Sequence, residues 1–147
     1  MISVELGGKL VNRLVRDTIA EAIKFYRLDP NIGIVVDGWD VDQNDSHAGC
    51  IHTGELEYQL YLNSNVEFPA TRIVQLIGHE MTHVKQYELD GLEDHTGRTI
   101  RFRRKYYRLA NKMEYWLSPW EMEARAMEDF FCYQMGRHEH WHKYIEN

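Results

Sequence analysis

A chain of 147 residues suits one domain, and 44% hydrophobic residues with 4 Trp, 9 Tyr and 5 Phe are enough for a packed core. No apolar run approaches the roughly 18 residues of a membrane-spanning helix, and a net charge of −6 argues against a partner such as nucleic acid. The start of the chain lacks the basic and apolar regions of a signal peptide. Cys50 and Cys132 are too few and too far apart for a disulfide framework, so the protein is expected to be cytoplasmic, with two buried free thiols.

Residues 2–6 read as a short strand or arm, broken by Gly7-Gly8. Over 9–28, Leu10, Val11, Leu14, Val15, Ile19, Ile23 and Tyr26 recur at three- and four-residue spacing, which predicts a helix ended by Asp29-Pro30. Residues 32–39 are rich in β-branched side chains and predict a buried strand. The loop 40–46 imitates a calcium loop, but Asp45 stands where the glycine belongs and Ile51 where the last glutamate belongs. Residues 49–53 and 55–62 predict two strands joined by a tight turn at Thr53-Gly54. In the second, Leu56, Tyr58, Leu60 and Leu62 alternate with Glu55, Glu57, Gln59 and Tyr61, so one face is buried. A strongly apolar helix follows over 70–87, with Pro69 in its first turn. An irregular polar stretch then runs from Asp90-Gly91 to Gly97.

Residues 98–108 interleave Arg98, Arg101, Arg103, Arg104, Lys105 and Arg108 with Ile100, Phe102, Tyr106 and Tyr107. Such a run can hold phosphates and stack bases. In an acidic chain the solvated face of a strand or helix is the better reading. Ser118-Pro119 is a helix start, serine as N-cap and proline at the first helical position, with the helix lasting to about Met135. His138, His140 and His142 read as a frayed polar tail.

The helix over 70–87 contains His79-Glu80-Met81-Thr82-His83, the H-E-x-x-H pattern. Histidines at i and i+4 share one helix face, so both imidazoles reach one metal ion. The glutamate after the first histidine then lies beside the open coordination position and can take a proton from water. Two imidazoles on an apolar helix need partners, and a metal supplies one for both.

A catalytic zinc needs three protein ligands. The spacings that place a third histidine shortly downstream fail, because Gln86, Glu88 and Leu89 occupy the required positions. That leaves a carboxylate on a later helix, Glu121 or Glu123. These two are two residues apart on the helix that Ser118 starts, so they point roughly 200° apart and cannot both bind.

The segment His79 to Gln86, H-E-M-T-H-V-K-Q, followed by Pro119-Trp120-Glu121-Met122-Glu123-Ala124, resembles the zincin metallopeptidases of the gluzincin kind. It is especially similar to small metallopeptidases encoded by phages and prophages. The resemblance implies an α+β, minimal zincin-like fold. A small, mostly antiparallel sheet would pack on an N-terminal helix, the H-E-x-x-H helix and a C-terminal glutamate helix. It implies one Zn²⁺ per chain on His79, His83 and Glu121, since Glu121 with Ala124 matches the gluzincin E-x-x-A pattern. Glu123 is the alternative ligand. Arg125 stands where the family's E-x-x-x-D pattern puts an aspartate, so Asp129, Glu128 or a backbone carbonyl is left to orient the histidines. The resemblance further implies Glu80 as general base and the strand before the metal helix (Tyr58, Gln59, Leu60, Tyr61) as the edge that binds an extended peptide. Tyr115, Tyr107 and His95 are the candidate oxyanion donors.

The expected partner is a peptide or protein substrate, with no membrane and no nucleic acid, in the host cytoplasm if the chain is phage-encoded. Two alternatives stand beside the peptidase. One is a non-catalytic metal-binding scaffold acting through a protein partner. The other is a nucleic-acid-associated protease using the basic run 98–108.

Overall fold

Residues 1–95 and 98–145 are described by a computed structural model, and the end of the polar stretch predicted over 91–97 lies outside them. The elements run β1 (Ile2–Glu5), α1 (Lys9–Tyr26), β2 (Gly33–Trp39), β3 (Ala48–Gly54), β4 (Glu57–Asn63), α2 (Ala70–Leu89), β5 (Glu93–Asp94), β6 (Thr99–Phe102), β7 (Lys105–Arg108), α3 (Lys112–Trp116), α4 (Pro119–Gly136) and α5 (Trp141–Ile145). The class is α+β, as expected. Among the described residues no helix is long and apolar enough to cross a membrane.

The sheet that packs on the helices has the order β1-β2-β4-β3. It is mixed, not mostly antiparallel: β1–β2 and β2–β4 are parallel and only β3–β4 is antiparallel. The cause is α1, a crossover long enough to bring β2 alongside β1 in the same direction. The smaller sheet β5-β6-β7 is antiparallel throughout.

This order overturns the expected edge. β4, which carries Tyr58, Gln59, Leu60 and Tyr61, is hydrogen-bonded on both sides, to β2 and to β3. A strand paired on both sides has no backbone groups left for a substrate. The edge strands of this sheet are β1 and β3. The turn expected at Thr53-Gly54 also shifts, to Glu55-Leu56 with Leu56 at φ 57°, and the ladder carries a bulge between His52 and Gly54.

Helix α1 stops before Asp29-Pro30. Arg27 takes the left-handed conformation (φ 54°), and the N–H groups of Arg27 and Leu28 return to the carbonyls of Lys24 and Ile23. Its face of Leu14, Val15, Ile19 and Ala22 packs with Ile34, Val36 and Leu60 from the sheet. Val74, Ile77, Met81 and Val84 of α2 and Phe131 and Met135 of α4 complete that core. A smaller cluster of Leu92, Ile100, Phe102 and Trp120 lies under the β6–β7 hairpin.

Gly78 lets α2 and α4 meet. A Cβ there would lie 2.5 Å from Cδ2 of Phe131, which is fully buried and has nowhere to go. Gly78→Val is therefore expected to destabilise the fold by about 3 kcal/mol through overpacking. Urea unfolding would show it, and a midpoint equal to wild type would mean that the helices part without cost.

The basic run folds as the β6–β7 hairpin, whose charged side chains meet solvent, as the strand reading expected. Arg103 and Arg104 sit at its tip with φ 50° and 67°, a left-handed pair that long side chains rarely adopt. The histidine tail is not frayed. His138 and His140 lie in a turn before α5, where Tyr144 is buried and bonds Asp17. The apolar Trp141 and Tyr144 hold this segment on the core.

Tyr26 donates to or accepts from Thr82 on α2, and burial pushes both Tyr26 and Tyr87 up to about 12. The folded value lies above the unfolded one near 10. Their stabilisation is therefore complete below about pH 10 and is lost as pH rises toward 12. The double variant Tyr26→Phe/Tyr87→Phe should show a shallower fall of the urea midpoint than wild type as pH rises from about 10 to about 12. Equal slopes would refute this origin of alkaline lability.

Candidate metal centre

His79 and His83 stand one turn apart on the face of α2 that meets α4, their rings 5.0 Å apart. Glu121 comes from the first turn of α4, where a carboxylate is favoured by the helix dipole. Its Oε2 lies 3.2 Å from Nε2 of His79 and its Oε1 lies 2.8 Å from Nε2 of His83. The three ligand atoms fall within 4.8 Å of one another. Two imidazoles and one carboxylate so placed form a donor set suited to zinc. Ser118 does occupy the N-cap position, but its hydroxyl donates to the Tyr115 carbonyl (2.6 Å) instead of closing the helix.

Glu123 is not part of this cluster. It faces away, toward Lys85 (3.0 Å), Arg103 (3.1 Å) and the amide of Gln86 (2.9 Å). It nevertheless acts on the site through Gln86. Nε2 of Gln86 donates to Glu123 and to the Trp120 carbonyl, both acceptors only. The amide oxygen must then face Nδ1 of His83, 2.8 Å away, which therefore carries the proton. That tautomer leaves Nε2 of His83 free to bind a metal. Glu128, two turns beyond Glu121, does the same for His79, with Oε2 2.9 Å from Nδ1. Arg72 holds Glu128 in turn at 3.1 Å. Of the candidates for orienting the histidines, Glu128 takes the part and Asp129 does not; it accepts from Gln75.

The charges follow from this geometry. Burial alone would lower His79, but its hydrogen bonds to Glu121 and Glu128 outweigh it and raise the imidazole to about 10. Burial likewise works against the Glu121 carboxylate, and the two imidazoles overcome it, holding Glu121 well below the usual range. Glu80 is buried beside them, and burial pushes its carboxyl up, against the opposing pull of His83 and His79. A carboxylate whose affinity for a proton is raised is the better proton acceptor.

All four residues line a cleft of about 760 Å³. One wall is β3 with the loop before it, including His47, Gly49 and Ile51. The other wall is α3 and α4, including Tyr115, Trp116 and Arg125. Gly49 lets the Tyr61 ring lie across β3, where a Cβ would come within 2.1 Å of it, and Trp39 stacks on that ring at 4.3 Å. Of the proposed oxyanion donors, Tyr115 is in the cleft and its hydroxyl donates to Oε1 of Glu121 at 3.0 Å. Tyr107 packs on Trp120 in the hairpin cluster, and His95 pairs with Glu93, so neither faces the site. Cys50 lines the cleft on β3 but is not among the clustered ligands.

The sequence named Glu128 among the groups that could orient the histidines, but Gln86 was missed in that part and Arg125 was given no role. The signal for Gln86 was spacing: it lies three residues after His83 and so shares its face. Comparison with known proteins adds nothing to this picture, since no family model, curated protein or solved structure matches the chain.

Proposed function

We propose that the protein is a zinc-dependent metallopeptidase of the zincin kind. One observation carries the reading: Glu80 is buried in a cleft directly beside a His79–His83–Glu121 cluster whose outer nitrogens are already fixed by Glu128 and Gln86. A purely structural site would have no use for Glu80.

His79, His83 and Glu121 would hold the zinc, which would supply Lewis-acid chemistry and activation of water there. The residues of the chain do the rest. Glu80 accepts a proton from water as the water oxygen bonds to the peptide carbonyl carbon, and returns it to the amine nitrogen as the C–N bond breaks. Tyr115 is the neutral donor nearest the ligands, available to the oxygen on which charge develops. The free edge of β3 offers backbone groups for an extended peptide along the cleft, in the role first expected of β4. Gln86 and Glu128 keep the imidazoles in the metal-binding tautomer throughout.

The test is elemental analysis of the purified protein together with cleavage of unfolded casein. One zinc per chain and cleavage abolished by a chelator are expected. A protein that takes up no zinc when it is supplied refutes the reading.

A further inference from the structure

Arg125 follows Glu121 by one turn on α4 and lines the same cleft. Its guanidinium lies over the Trp116 ring, 3.6 Å from the centroid, and Nη2 donates to the Trp116 carbonyl at 2.6 Å. Nη1 is different. It is buried and has no hydrogen-bond partner. Oε2 of Glu121, 4.0 Å away, is out of hydrogen-bonding range and already engaged with His79. Arg72, another arginine of this cleft, is satisfied by Glu128 and Gln75, both at 3.1 Å.

A guanidinium cannot shed its proton to escape such a position. Buried donors without acceptors are rare in folded proteins and call for an explanation. The Trp116 ring and the Trp116 carbonyl hold the guanidinium in the lining of the cleft, with Nη1 the nitrogen left without an acceptor. Around it the cleft is acidic, with Asp45, Glu80, Glu121 and Glu128 in its lining. Of the two arginines in that lining, Arg72 is already paired with Glu128, which leaves Arg125 as the guanidinium with a donor to offer a negative group on a ligand.

We propose that Arg125 is a carboxylate-binding subsite of this cleft, which selects peptides carrying a carboxylate close to the scissile bond. The planar fork of a guanidinium matches a carboxylate, and a charge-assisted bond formed out of water is a strong one. The inference rests on the metallopeptidase reading, because the peptide must lie beside the metal to reach Arg125. The carboxylate can be the substrate's own C-terminus or an acidic side chain.

Three leucine-based hydroxamates separate these cases when titrated calorimetrically into zinc-loaded protein: one ending in a free carboxylate, one ending in an amide, and one ending in an amide but bearing a glutamate side chain. At least one of the carboxylate forms should bind roughly tenfold or more tighter than the plain amide, and which one identifies the source. In Arg125→Gln that ratio should fall to about one, and in Arg125→Lys part of it should return. Zinc content measured on each variant shows that the fold and metal site are intact. Equal binding of all three probes by zinc-loaded wild type, or a ratio that survives in Arg125→Gln, overturns the subsite and leaves the metal centre standing. Failure to take up zinc overturns the metallopeptidase reading itself.

Discussion

Zinc content is expected to fall from one atom per chain to none in Glu121→Ala and to persist in Glu123→Ala. Glu121 is the carboxylate whose two oxygens reach both imidazoles. Its loss leaves two ligands, one fewer than a catalytic zinc site requires. Glu123 touches neither imidazole. It fixes the amide of Gln86, and through it the proton on His83. Loss of such an outer partner typically weakens metal binding about 10–100-fold without emptying the site. Competition titration with a chromophoric chelator measures both effects on one scale. Metal lost in Glu123→Ala and kept in Glu121→Ala would transfer the ligand to Glu123 and contradict the geometry described above.

Glu80→Gln should leave zinc content and fold unchanged and lower peptide hydrolysis about 10²–10⁴-fold, the range for removal of a general base. The amide has the shape of the acid but accepts no proton from water. The fold should tolerate the change well. Burial already disfavours the charged form of Glu80 and pushes its carboxyl up, so a neutral group of equal size removes an electrostatic cost. The contrast between intact metal and lost turnover is the decisive readout. Turnover equal to wild type would remove Glu80 from the mechanism. Zinc-loaded wild type without peptidase activity would favour the scaffold alternative, a metal-binding domain that acts through a protein partner.

Much of the His79–His83–Glu121 cluster was legible in the chain because helical geometry is local. The spacing of His79 and His83 alone places both rings on one face, and Ser118-Pro119 locates the start of the helix that delivers Glu121. The separation of Glu121 from Glu123 by two residues also said that one must face away. The sequence could not say what the discarded carboxylate does. That depends on Gln86, Lys85 and Arg103, which come from two other elements. Strand order was the least legible part. Alternation in β4 correctly showed one buried face, with Tyr58 and Leu60 in the core, but a strand has two edges as well as two faces. Alternation says nothing about edges, since they are occupied by chains remote in sequence. Gly78 had a local signal that the sequence reading passed over: a glycine inside a helix costs about 1 kcal/mol relative to alanine and needs a packing reason.

The free edge of β3 carries a further consequence for the protein in concentrated solution. Any extended chain that adds to this strand fills the cleft, and a second copy of the molecule is such a chain. Under the proposed peptidase function, self-association through this edge would exclude a substrate from the cleft. The bulge between His52 and Gly54 interrupts the ladder at one end of the strand, which shortens the stretch that another sheet can extend. A dimer joined along β3 would then block its own cleft, so a concentration-dependent loss of peptidase activity is expected of such association.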